Sequence, residues 1–232
     1  MKLRILILLF SSNIIFSANP PDLVRIIEKS TFQINVVEKN DDDGRVIGNG
    51  SAVLINRKNN DYFFITNAHV VLKAACIVDY SSACDDGESD EWPEDIDLYV
   101  THPFLDNEYL VLDYIYWEDV DFAVLKAEMS PYEVDDELYD EYLSEISPIR
   151  FTSNYIDLMD TVYAAGYPNV LGNLTDYKEI FITSGIINSF IISEKSLSEV
   201  SQYDVVHDAV IKGGMSGGPL VNKRGELVGI NG

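Results

Sequence analysis

Short runs of β-forming residues recur along this chain at intervals of roughly ten residues, each bounded by Gly, Asn, Asp, Ser or Pro. The runs are Thr31 to Glu38, Arg45 to Asn56, Tyr62 to Thr66, Leu98 to Val100, Tyr109 to Tyr116 and Phe122 to Leu125. After a gap come Thr161 to Ala165, Ile180 to Ser184, Gly185 to Ile192, Val205 to Ile211, Pro219 to Asn222 and Glu226 to Ile230. Acidic Asn40 to Gly44 and Asn59-Asn60-Asp61 read as turns. Few helical periods lie between the runs, so the pattern predicts an all-β barrel or sandwich. Two stretches interrupt it. Asp85 to Asp97 is densely acidic and reads as a solvated loop, while Pro131 to Pro148 reads as a linker between two halves.

Charge narrows the partners. The 232 residues hold 39 Asp plus Glu against 16 Lys plus Arg, a net charge of −23. Phosphate backbones and anionic lipid surfaces both repel such a chain, which excludes a nucleic-acid binder and argues against membrane association. With 47% apolar residues the chain is not a disordered acidic tail. Met1-Lys2-Leu3-Arg4, the apolar run to Phe16 and Ser17-Ala18 read as a secretory signal peptide over residues 1–18. An uncleaved anchor or a buried first strand is the alternative. Cleavage would remove Lys2 and Arg4 and leave a still more acidic protein in a secreted or periplasmic location. In that compartment Cys76 and Cys84 are candidates for a disulfide, with two free thiols as the other reading. No metal-ligand spacing is present, and no cofactor is implied.

Three segments each join an apolar strand to one reactive side chain. They are Phe63-Phe64-Ile65-Thr66-Asn67-Ala68-His69, Asp121-Phe122-Ala123-Val124-Leu125 and Gly213-Gly214-Met215-Ser216-Gly217-Gly218-Pro219. Singly, each has a bland reading: a core histidine, a turn aspartate, a tight glycine turn. Jointly they supply what acyl transfer by serine needs. That chemistry takes a hydroxyl, an imidazole to accept its proton, a carboxylate to fix the imidazole, and backbone N–H groups for the oxyanion.

These residues resemble the chymotrypsin-like (trypsin-fold) serine peptidases, closest to the secreted bacterial, HtrA-like branch. Thr66-Asn67-Ala68-His69-Val70-Val71 is similar to that branch's histidine motif, Asp121 to Lys126 to its aspartate motif and Gly214 to Pro219 to its nucleophile motif. Gly50 to Ile55, Ala165 to Pro168 and Ile182 to Ile187 resemble supporting strands, so the likeness runs from about Thr31 to Gly232. The resemblance implies two six-stranded Greek-key barrels. Residues 19–130 would form the first, 131–150 an acidic linker and 151–232 the second, truncated at its C-terminus. It also implies a serine endopeptidase acting on protein or peptide substrates, with Ser216 as nucleophile, His69 as general base and acid, and Asp121 as orienting carboxylate. The N–H groups of Gly214 and Ser216 would form the oxyanion hole, and Val210 the floor of a pocket for small or aliphatic side chains. Asp119 is a rival to Asp121, and His102 and His207 are assigned to loops or the surface.

Several positions depart from the family pattern. Met215 replaces the acid that pairs with a freshly cut N-terminus in the animal digestive enzymes, and Arg45-Val46-Ile47-Gly48 only imitates an activation cut. The strands expected after Glu226 to Gly232 do not follow, which leaves a catalytically impaired binding module or a fragment as the alternative function. An esterase is disfavoured because α/β-hydrolases place the nucleophile before Asp and His. The acidic loop at residues 85–97 lacks EF-hand spacing, and Asn49-Gly50-Ser51 and Asn173-Leu174-Thr175 are sequons that matter only in a eukaryotic host.

Overall fold

The computed structural model describes residues 20–39, 45–72, 96–102, 105–129, 144–169, 179–191 and 205–232. The signal-peptide reading, Cys76 and Cys84, the turn at residues 40–44, nearly all of the acidic loop and the first part of the linker lie outside the described residues.

Helix α1 (Pro20–Ser30) comes first, followed by strands β1 (Thr31–Glu38), β2 (Arg45–Lys58), β3 (Asp61–Thr66), β4 (Ile96–His102), β5 (Leu105–Trp117) and β6 (Phe122–Glu128). These strands close an antiparallel barrel in the order β1-β2-β3-β6-β5-β4. Strands β7 (Thr161–Gly166), β8 (Phe181–Phe190), β9 (Val205–His207), β10 (Pro219–Asn222) and β11 (Leu227–Ile230) form a second sheet, ordered β11-β10-β7-β8-β9. The fold is therefore mostly β, a closed barrel beside a second curled sheet, as expected for the two-barrel trypsin fold.

Strand alternation explains why β2 and β3 are apolar on both faces. Side chains point alternately to opposite sides of a strand. Ala52, Leu54 and Phe64 fill the barrel with Phe32, Ile34 and Leu125, while Val53 and Ile65 point outward. That outer face is covered by Ala165, Val221 and Leu227 of the second sheet and by Leu23 and Ile27 of α1. A second core thus lies in the seam between the halves, and each fully buried aliphatic side chain there contributes about 1.5–3 kcal/mol.

The sequence reading gave no helix at residues 20–30. Leu23 and Ile27, one helical turn apart, form a stripe too short to stand out after Pro20 and Pro21. The helix needs the seam to bury it. The runs beginning at Ile180 and at Gly185, read as two, join in the single strand β8, because β7 pairs continuously across Ser184 and Gly185. From the linker, Ile146 packs into the barrel and Ile149 into the seam.

His102 corrects the expectation of a loop or surface role. It ends β4 fully buried, its ring tilted against Phe32 with centroids 4.7 Å apart. Its Nε2–H donates to the Glu28 carbonyl in the last turn of α1 at 2.7 Å, tying helix to barrel. Burial lowers its pKa from 6.5 to about 4. The unfolded chain therefore takes up a proton that the folded one refuses, and stability falls as pH drops from about 6.5 towards 4. The His102 component of this loss is about 3 kcal/mol. Urea unfolding across that window should show it in the native protein, and His102→Gln should lose that part of the slope.

Candidate active site

The register of the barrel brings the first two reactive groups together. Thr66 at the end of β3 pairs with Ala123 at the start of β6, so the chain leaving β3 runs beside the chain entering β6. Residues 68–72 then turn helical and carry His69. On the other side, the 3-10 turn Glu118–Val120 ends at Asp121, whose backbone is left-handed at φ 47°, ψ 50°. That is an unfavourable conformation for a residue with a side chain, and here it is held by bonds on every side. The Asp121 N–H donates to Glu118 O at 3.0 Å, and Asn67 Nδ2 donates to the Asp121 carbonyl at 3.1 Å.

The bent backbone aims the carboxylate at His69. Asp121 Oδ1 accepts from the His69 backbone N–H at 2.9 Å, and Oδ2 lies 2.8 Å from ring Nδ1. A carboxylate only accepts, so Nδ1 bears the proton and a neutral imidazole is left with a basic Nε2. Asp121 is 6% exposed, whereas the His69 side chain retains 29%, which leaves the ring reachable from outside. It is Asp121, not its rival Asp119 within the exposed 3-10 turn, that meets the ring.

Ser216 arrives from the second half on the turn before β10. Ser51 of β2 anchors this turn to the first barrel: its N–H donates to Ser216 O at 2.8 Å and its hydroxyl to Gly214 O at 2.8 Å. The same hydroxyl accepts from Tyr167 N–H at 2.9 Å, so one small side chain joins both halves at the turn. Gly217 follows at φ +83°, where an added Cβ would overlap Thr66 Oγ1 and Ser51 O. Only glycine lets the turn bearing Ser216 press so closely against Ser51 of β2 and Thr66 of β3. Among the described residues, no hydrogen bond joins Ser216 Oγ to the His69 ring.

The peptide planes of the turn are fixed by main-chain hydrogen bonds. Asn169 N–H donates to Gly213 O at 2.7 Å, and Gly218 N–H donates to Met215 O at 3.0 Å. All peptides here are trans, so each N–H points opposite its carbonyl. The Gly214 and Ser216 N–H groups therefore face away from those bonds. Among the described residues neither donates to a protein acceptor, whereas Met215, Gly217 and Gly218 all do. Met215 itself is fully buried, with its Sδ accepting the Lys212 N–H at 3.4 Å.

Residues 50–230 match the trypsin-like peptidase domain. The chain belongs to that family. No curated protein matches it significantly. Membership gives this trypsin-like peptidase domain a peptidase-type, hydrolytic function on protein or peptide substrates.

Other positions fall outside the His69–Asp121 pairing and the turn that bears Ser216. Val210 is 57% exposed beyond β9, its carbonyl accepting Thr183 Oγ1 at 2.9 Å. His207 lies half-buried on β9, with burial lowering its pKa. Sequence reasoning missed Ser51 and Asn67 as supports for the candidate site. Both sit inside the quoted motifs, but what marks them is a partner on a distant strand.

Proposed function

We propose that this protein is a secreted serine endopeptidase that cleaves peptide bonds through a Ser216 acyl-enzyme. The observation that carries the reading is the Asp121–His69 pair, set against a nucleophile turn whose Ser216 carbonyl is tied to Ser51 of β2. Export is supported by the signal-like residues 1–18; N-terminal sequencing of exported protein should find them removed, and intact retention would contradict it.

In this mechanism Ser216 Oγ attacks the scissile carbonyl while His69 Nε2 takes the hydroxyl proton. Asp121 steadies the imidazolium, and the Gly214 and Ser216 N–H groups receive the oxyanion. As the tetrahedral species collapses, His69 returns the proton to the leaving amine and the acyl group stays on Ser216. Water then repeats the sequence, with His69 again as base, and frees the acid product.

Incubation with unfolded protein substrates tests the reading. The native protein should cut them, and prior treatment with a fluorophosphonate should stop the cutting. Failure of the folded protein to cleave any of them, or cleavage untouched by the fluorophosphonate, would contradict it.

A further inference from the structure

Asn231 lies just beyond β11, is 2% exposed, and has no place in the mechanism above. Its main chain brackets the nucleophile turn: its N–H donates to Gly218 O and its carbonyl accepts the Gly217 N–H, both at 2.8 Å. Its side chain does something separate. Nδ2 donates to Ala165 O of β7 at 2.8 Å and also lies 3.4 Å from Met215 O. Both neighbours are carbonyls, which assigns the amide orientation, since only the nitrogen has hydrogens to offer them.

Met215 O belongs to the peptide whose other end is the Ser216 N–H. Holding this carbonyl inward, together with the Gly218 N–H, turns the Ser216 N–H outward. The cost of the arrangement is visible. Asn231 Oδ1 is buried and makes no hydrogen bond among the described residues. An unpaired buried acceptor is unfavourable, and a leucine would fill the same space without one. A local rule broken at a buried position beside the nucleophile points to function.

We propose that Asn231 is a positioning residue for the reaction, acting through the Met215–Ser216 peptide to hold the Ser216 N–H where the oxyanion forms. The proposal rests on the reading of Ser216 as nucleophile. Asn231 touches no reacting atom. Its amide bridges β7 and the turn, so the donor is aimed before substrate arrives and needs no reorganisation as charge develops.

The test compares the native protein with Asn231→Leu and Asn231→Ser, each titrated with a fluorophosphonate so that rates refer to competent sites. Turnover per site should fall about ten- to hundredfold in Asn231→Leu, with KM within about twofold, because the interaction matters chiefly in the transition state. Affinity for a peptide boronate, whose tetrahedral adduct uses the same N–H, should fall in parallel. A non-covalent peptide competitor should bind unchanged. Asn231→Ser, retaining a short donor, should lie between the two. A merely structural role would lower melting temperature and the titrated fraction but leave turnover per site and boronate affinity intact, and that outcome overturns the proposal. Should neither variant fold, the native protein still decides. NMR should detect scalar coupling across the hydrogen bond from Asn231 Nδ2 to the Met215 carbonyl carbon, and its absence overturns the proposal. A native protein that hydrolyses substrate and titrates at Ser216, beside variants that match it per site, refutes only the role of Asn231. A native protein that neither titrates nor hydrolyses refutes the reading of Ser216 and this proposal with it.

Discussion

Ser216→Ala is expected to lower kcat by about six orders of magnitude, the scale seen when a triad nucleophile is lost. Stability should move by no more than about 0.5 kcal/mol. The two effects separate because the turn is held through main-chain groups. Ser51 N–H grips the Ser216 carbonyl, Asn231 the neighbouring glycines, and Asn169 the Gly213 carbonyl, none of them through the Ser216 hydroxyl. A residual rate above that in water should survive, because the Gly214 and Ser216 N–H groups remain to stabilise an oxyanion formed by water attack. Steady-state kinetics paired with thermal unfolding checks both halves. A variant that keeps more than about a hundredth of native kcat would mean another nucleophile, since a serine acting in a triad leaves far less.

The second large effect concerns a residue that never touches substrate. Asp121→Asn should cut kcat by roughly four orders of magnitude with KM little changed. An amide at this position can donate to Nδ1 as readily as accept from it, so it no longer forces the proton onto Nδ1. The imidazole then presents a protonated Nε2 to the serine and has no base to offer. Geometry should survive, because the side-chain oxygen of the substituted amide could still accept the His69 backbone N–H that Asp121 Oδ1 now accepts at 2.9 Å. The Asn67 contact, made to the Asp121 main-chain carbonyl at 3.1 Å, is indifferent to the change. Steady-state kinetics of the variant checks this. A modest loss, within about tenfold, would mean that the carboxylate does not set the tautomer.

Much of the fold was legible because strand signals are local. The run at Thr31–Glu38 and the run at Pro219–Asn222 match their strands at both ends, and the remaining strands differ mainly at their margins. Helix α1 was not legible, since its apolar stripe at Leu23 and Ile27 spans a single turn and the seam that buries it is built by distant strands. His102 escaped for the same reason. Sequence showed a histidine before a proline, whereas the fold surrounds it with Phe32 and a helix carbonyl. At the candidate site, the reactive residues announced themselves by their strand-flanking motifs. The supports did not: Ser51, Asn67 and Asn231 act on partners far away in the chain, and only register and the seam bring those partners close.

The proposed triad makes Ser216 the activated nucleophile beside His69 and Asp121. Its most direct test is to label the native protein with a fluorophosphonate, digest it, and locate the adduct by mass spectrometry. One adduct per chain is expected, on Ser216, formed far more slowly in His69→Ala and Asp121→Asn and absent in Ser216→Ala. An adduct on any other residue, or equal labelling of a folded Ser216→Ala variant, would contradict it.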